Sequence, residues 1–129
     1  MSEELQKMLS ELMEIYEYLL IEPSGSTEEL REMLSKLNVY LARTNKIWAD
    51  AQYELLKEKR TILGSANLDT IVEVKPSVIK EILAAKTADA GYVVKLAERV
   101  SRTIVHCADN IRTNVSYDKE EMKLARTGY

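Results

Sequence analysis

A band of polar side chains near the carboxyl end of the chain is the feature best suited to chemistry. Successive residues of an α-helix lie about 100° apart, so residues three and four positions apart share a face. At that spacing, cations in a row can neutralise phosphates, and Tyr or His rings offer faces on which bases stack. The pattern therefore favours a nucleotide or a single strand of nucleic acid as ligand. The band consists of Lys95, Arg99, Arg102, His106, Asn110, Thr113 and Tyr117.

The same band has two simpler interpretations. An amphipathic helix must present a polar face to solvent, and this one lies nearly opposite a predicted apolar stripe. In the second interpretation, the band contacts another subunit. Its centre holds His, Asn and Thr in place of the Glu and Lys of a purely solvated face, and a face of such intermediate polarity often meets another subunit. The apolar stripe consists of Val93, Ala97, Val100, Ile104, Cys107, Ile111 and Val115.

Nothing in the sequence supports catalysis. His106 and Cys107 are the only histidine and the only cysteine, and adjacent helical side chains point about 100° apart, so they cannot act on each other. Cys107 falls in the apolar stripe, where a thiol is inert packing. One His among scattered carboxylates is not a metal ligand set, and the chain lacks a Gly-rich phosphate loop. We expect no enzyme activity, no catalytic residue, no metal and no cofactor.

A second cluster of possible ligand-binding residues lies on the preceding long helix, at Tyr40, Arg43 and Lys46. Nearby, Thr44 interrupts an apolar heptad one turn before Trp48, the only tryptophan. A polar residue in such a seam usually sets register or pairing. For Trp48, plain packing in the core is the ordinary interpretation.

Periodicity and capping residues predict the elements that carry these clusters. Ser2 should cap a helix over 3–21, and the capping box Ser26-x-x-Glu29 should open a long helix over 26–63 that ends at a left-handed Gly64. A loop over 65–75, a short helix over 76–88 beginning at Pro76, and a long helix over 90–124 follow, with Thr87 or Asp89 as its cap. The first helix has a predicted buried stripe of Leu5, Met8, Leu9, Leu12, Tyr16, Leu19 and Leu20.

These elements predict one all-α domain over 1–129, an antiparallel hairpin of two long helices with a short amino-terminal helix and a short middle helix. The heptads of residues 26–63 indicate coiled-coil-like packing. A helix of that length would span about 55 Å, which one compact chain of this size cannot cover. We therefore expect self-association into a dimer or a tetramer.

Composition and charge restrict the compartment and the partners. The chain has no Phe, four Gly and two Pro, which is typical of long helices. Its start is acidic and no apolar run approaches membrane-spanning length, so we expect a cytoplasmic protein without membrane contact. The net charge is −3, and residues 1–34 hold nine Glu against one Lys and one Arg. The rest of the chain is therefore mildly basic.

Three segments carry a resemblance to known proteins: LNVYLARTNKIWADA (37–51), LAERVSRTIVHCADNIRT (96–113) and SYDKEEM (116–122). With them, residues 30–124 resemble small helical proteins encoded by phages and prophages beside recombination and single-strand-binding genes. In helix order and length, the chain is also similar to the UvsY-type recombination mediators of T-even phages. That resemblance implies a helical oligomer that binds single-stranded DNA in the host cytoplasm and helps to load a recombinase.

Three non-enzymatic functions remain open. In the first, a recombination or replication accessory binds single-stranded nucleic acid, with Lys95, Arg99, Arg102 and Arg112 on phosphates and Tyr117 or His106 stacking. In the second, an anti-defence protein holds a nucleotide messenger or a host defence effector at an oligomer interface. In the third, the chain is a structural helical adaptor.

Overall fold

The computed structural model describes residues 1–65 and 73–126, without the side chain of Asp118. Within these ranges the chain is all-helical, as predicted. Its elements are α1 (Glu3–Leu19), α2 (Thr27–Ser65), α3 (Pro76–Lys86) and α4 (Ala88–Arg126). Most of the predicted loop over 65–75 lies outside the described residues, and Ser65 itself belongs to α2.

The helix starts follow the capping residues. The Ser2 hydroxyl accepts a hydrogen bond from the Leu5 amide at 3.2 Å, and the Ser26 hydroxyl accepts one from the Glu29 amide at 3.2 Å. Gly25 precedes that cap with φ +112°, a conformation that disfavours any residue with a Cβ. These contacts satisfy amides that the first turns of α1 and α2 would otherwise leave unpaired.

Two predicted helix ends were wrong. Gly64 is not a left-handed cap: α2 continues through it to Ser65, and Gly25 is the only described residue with positive φ. Thr87 does not cap α4 with its side chain. Its buried hydroxyl donates to the Leu83 carbonyl at 2.7 Å, while its own carbonyl accepts from the Gly91 amide at 2.9 Å. A buried hydroxyl needs a partner, and the last turn of α3 supplies one. The Asp89 carboxylate instead faces the amino terminus at 3.5 Å.

The long helices α2 and α4 run antiparallel. The Ser101 hydroxyl donates to the Asn45 side chain at 2.9 Å near the middle of both helices. The end of α2, at Thr61 and Ile62, lies beside the start of α4, at Asp89. Helix α1 packs on both of them and α3 packs on α4. The long hairpin is therefore the frame of the fold.

The core follows the predicted stripes closely on the long helices. All residues of the α4 stripe are buried except Cys107, which is half-buried. Along the α2 heptad, Leu30, Leu37, Thr44 and Ala51 are buried, whereas Leu34, Leu41, Trp48 and Leu55 are half-buried. The alternation shows that the hairpin covers one edge of this seam better than the other.

The predicted stripe of α1 was wrong at two positions. Tyr16 is 40% exposed and Leu20, which lies just beyond the helix, is 66% exposed, whereas Ile15 is fully buried. Because α1 sits in the angle between α2 and α4, its buried face is centred on Leu5, Leu12 and Ile15. Tyr16 lies at the edge of that face.

We call the side of the hairpin away from α1 the open face. Tyr40 and Ile47 point toward α1, since Tyr40 packs on Tyr18 and Ile47 lines the cleft between α1 and α2. The next residues, Leu41 and Trp48, point about 100° further round α2 and so lie on the open face. Half-buried apolar side chains therefore line this face.

The buried hydroxyl of Thr44, in the apolar heptad of α2, allows a test of how this heptad contributes to stability. Its side chain is fully buried, and its hydroxyl has no hydrogen-bond partner among the described residues. We expect Thr44→Val to raise the free energy of unfolding by about 1 kcal/mol, because a buried, unpaired hydroxyl is replaced by a methyl group of similar volume. Urea denaturation at fixed protein concentration measures the change.

Thr103→Val is the matched control. The Thr103 hydroxyl is partnered, donating to the Arg99 carbonyl at 2.8 Å, so its removal should bring no gain. A loss of stability in Thr44→Val, with Thr103→Val neutral, would contradict the prediction and show that the Thr44 hydroxyl has a partner.

Candidate nucleic-acid interface

The predicted polar band occupies the solvent side of α4. Every one of its residues is exposed, and the buried stripe lies on the opposite side of the same helix. Because α4 continues unbroken from Ala88 to Arg126, the whole band lies along one helix, and we call it the track. At about 1.5 Å per residue, its ends at Lys95 and Tyr117 are roughly 33 Å apart. A ligand that touches both ends must be extended.

The first half of the track borders a groove between α1 and α4. The groove has a volume of about 680 Å³. Helix α4 supplies three cations and one carboxylate, and α1 supplies one tyrosine ring. Its lining residues are Tyr16, Lys95, Leu96, Glu98, Arg99, Val100, Arg102 and Thr103. Cationic and aromatic groups thus meet in one place, although they come from different helices.

The cations of the predicted site differ in their partners. Lys95 and Arg99 are exposed, and neither side chain forms an ion pair with any described residue. Arg102 pairs with Glu98 at 2.6 Å. Such an exposed pair is worth less than about 1 kcal/mol, so a phosphate can displace the carboxylate. Among the predicted cations of α4, Lys95 and Arg99 are therefore the two that can bind a ligand without breaking an ion pair to a described residue.

Arg112 does not belong to the track. It lies about 100° round α4 from Lys95 and Thr113, and it pairs with Asp109 at 3.0 Å. The charge of Arg112 matches that of the track residues, but its face of the helix does not. His106 and Tyr117 do lie on the track, beyond the groove, and Tyr117 is 67% exposed. They can contact only a ligand that continues along α4.

Two residues of the second predicted cluster, Tyr40 and Arg43, join α1 to α2. Arg43 forms an ion pair with Glu11 of α1, and Lys46 pairs with Asp50 at 2.9 Å. The ring of Tyr40 packs edge-on against Tyr18, with 5.2 Å between the ring centroids. All three residues have partners within the chain, and Tyr40 and Arg43 hold α1 in place.

The cleft beside this cluster contrasts with the α1–α4 groove. It has a volume of about 490 Å³ and contains charges of both signs. Carboxylates of Glu4, Glu11, Asp50 and Glu54 outnumber the cations there. Nearby, the hydrogen bond from Lys57 to Glu54 at 3.2 Å raises the pKa of Lys57. A phosphate would meet net negative charge in this cleft, so we do not place a ligand there.

The described residues also bear on metal and membrane binding. No three His, Cys, Asp or Glu side chains within residues 1–65 and 73–126 come together as a metal-binding group. In the same ranges, no helix combines the length and the apolar character needed to cross a bilayer.

Comparison of the chain with protein-family models, curated protein sequences and solved structures gave no match.

Proposed function

We propose that the protein binds single-stranded nucleic acid along the exposed face of α4 and acts, without catalysis, as an accessory to phage recombination or replication. The observation that carries the proposal is that Lys95 and Arg99, which form no ion pair with a described residue, lie at the groove that Tyr16 lines. The phage setting, with a recombinase as partner, follows from the resemblance of residues 30–124.

Electrostatic forces would keep a nucleic-acid strand on the α4 side of the groove. Exposed Glu3, Glu14 and Glu17 on the outer side of α1 repel phosphates. Lys95 and Arg99 attract them, and Arg102 can join by releasing Glu98. Because each phosphate contact by these cations releases counterions, binding should weaken as the salt concentration rises.

Beyond the groove, the track changes its chemistry. His106, Asn110 and Thr113 provide hydrogen-bonding groups without a fixed positive charge, and Tyr117 provides an exposed ring. Such groups suit bases and sugars more than phosphates. A strand running from the groove along α4 would thus meet cations first and stacking or hydrogen-bonding groups later.

A second candidate function is an anti-defence protein that sequesters a nucleotide messenger. The observation in its favour is the concentration of the cations within two turns of α4, beside a groove whose volume lies in the range of small-molecule sites. Arg99 and Arg102 would hold the phosphate, with His106 just beyond them. In this case the rest of the track would contact no ligand.

A structural adaptor is the third candidate, and the open face favours it. Leu41, Trp48 and Leu55 stay half-buried there, and Val105 of α4 is 44% exposed. A partner helix or a host protein could cover these side chains. In all three functions we propose that a second copy covers part of this surface, giving a dimer or a tetramer.

The oligomer has a direct test. Light scattering at micromolar concentration should give a mass at least twice the 14.7 kDa of the chain, because a second copy would cover the partly exposed apolar side chains of the open face. Leu41→Lys should shift the mass toward the monomer. Val39→Lys, on the opposite side of α2 and already 57% exposed, is the control and should leave the mass unchanged. A folded wild-type monomer would contradict this prediction.

Phosphate binding by the track has its own test. The double variant Lys95→Ala with Arg99→Ala should weaken binding of a single-stranded oligonucleotide. It should also reduce the slope of log K against log salt by about 1.4, since each phosphate contact on a single strand contributes about 0.7. Fluorescence anisotropy at several salt concentrations measures both. Unfolding should change by less than about 0.5 kcal/mol.

Arg31→Ala with Lys80→Ala is the charge-matched control. Both side chains are exposed on other helices, so this variant should keep the wild-type slope. Loss of binding to a mononucleotide or a cyclic dinucleotide, with no binding of oligonucleotides by the wild type, would favour the messenger function. If Lys95→Ala with Arg99→Ala bound DNA, RNA and nucleotides as the wild type does, both ligand functions would be excluded at this site.

A further inference from the structure

Tyr16 lies outside the buried core, at the edge of the buried face of α1. Tyr18, two residues later on α1, packs on Tyr40 and has the Lys36 ammonium 4.5 Å above its ring. Tyr16 has no ring contact, hydrogen bond or cation contact with any described residue, and it is 40% exposed. Its partly exposed ring lines the groove in which α4 places Lys95 and Arg99.

The neighbours of Tyr16 on the same side of α1 are apolar. Met13 and Leu20, three positions before it and four after, are 42% and 66% exposed. At that spacing they share the face of Tyr16. Of these residues, Tyr16 is the one that lines the groove from α1, opposite the cations Lys95, Arg99 and Arg102 of α4.

We infer that α1 is the base-binding wall of the groove and that Tyr16 stacks on an unpaired base whose phosphates lie against α4. This inference rests on the proposed function, which needs only the phosphate contacts. The inference adds a selectivity for single strands over duplexes. An unpaired base can turn away from its neighbours and reach the ring, whereas the bases of a duplex are already stacked and paired. Tyr16 would therefore make the site selective for single strands.

The position of the wall is fixed by contacts at three points of α1. The amino terminus faces Asp89 of α4 at 3.5 Å, Glu11 pairs with Arg43 of α2, and Tyr18 packs on Tyr40. Ile15, next to Tyr16, is fully buried in the core. A platform held in place before binding loses little conformational entropy when a base stacks on it.

The experiment compares two single-stranded probes of equal length: oligo(dT) and an abasic oligonucleotide that keeps the phosphates without the bases. Wild-type protein should bind oligo(dT) more tightly. Tyr16→Leu should lose about five-fold or more of its affinity for oligo(dT), the effect of removing one stacked base, and should keep its affinity for the abasic probe. Its salt slope should stay at the wild-type value, because no phosphate contact is removed.

Two matched variants accompany it. Tyr16→Phe keeps the ring and should retain the preference for oligo(dT). Tyr53→Leu removes a tyrosine that is 59% exposed on α2, outside the groove, and should bind as the wild type does. In addition, the ring resonances of Tyr16 in the wild-type protein should shift upfield on addition of oligo(dT) and not with the abasic probe. This readout does not depend on the folding of any variant.

The outcomes separate this inference from the proposed function. If Lys95→Ala with Arg99→Ala weakens binding but Tyr16→Leu keeps the wild-type preference for oligo(dT), the phosphate track stands and the stacking inference is wrong. Unmoved ring resonances in the oligo(dT) complex would overturn it equally. If the wild type binds neither probe at low salt, the proposed function and the stacking inference both fail.

Discussion

The difference in length between α1 and the two long helices determines which surfaces of the hairpin stay uncovered. Helices α2 and α4 have 39 residues each and α1 has 17, which correspond to about 58 Å and about 26 Å. A helix of the length of α1 can cover only one side of one half of the hairpin. The cationic half of the α4 track therefore borders a groove, the rest of the track stays in solvent, and the open face keeps half-buried apolar side chains.

The sequence predicts best those parts of the fold in which apolar residues recur over many helical turns. On α4, apolar residues recur over six turns, and a stripe of that length can point in only one direction, so the sequence predicts both the buried stripe and the polar track opposite it. The short helix α1 has too few turns to fix its face. Its apolar residues cover a wide arc, and only the angle between α2 and α4 decides that Ile15 is buried and Tyr16 is not.

The candidate site was predictable on one wall and not on the other. Lys95, Arg99 and Arg102 share a face by spacing alone, whereas Tyr16 is 79 residues from Lys95 along the chain and reaches the groove only through tertiary packing. Residue type also misled: Arg112 matches the track in charge but lies on another face, and Arg43 is paired with Glu11. Gly64 misled in a similar way, since a glycine permits a left-handed cap without requiring one.

Helix α1 lies between the second cluster, Tyr40, Arg43 and Lys46, and the α1–α4 groove, so contacts on one side of α1 bear on the position of Tyr16 on the other. An ion pair between Arg43 and Glu11 contributes little to stability by itself at the surface. Burial of Leu5, Leu12 and Ile15 sets the rotation of α1 about its own axis, and the packing of Tyr18 on Tyr40 and the Arg43–Glu11 pair add contacts that match it. That rotation decides whether Tyr16 faces the cations of α4 or the solvent. Residues that bind no ligand in our proposal therefore still set the geometry of the wall on which a base would stack.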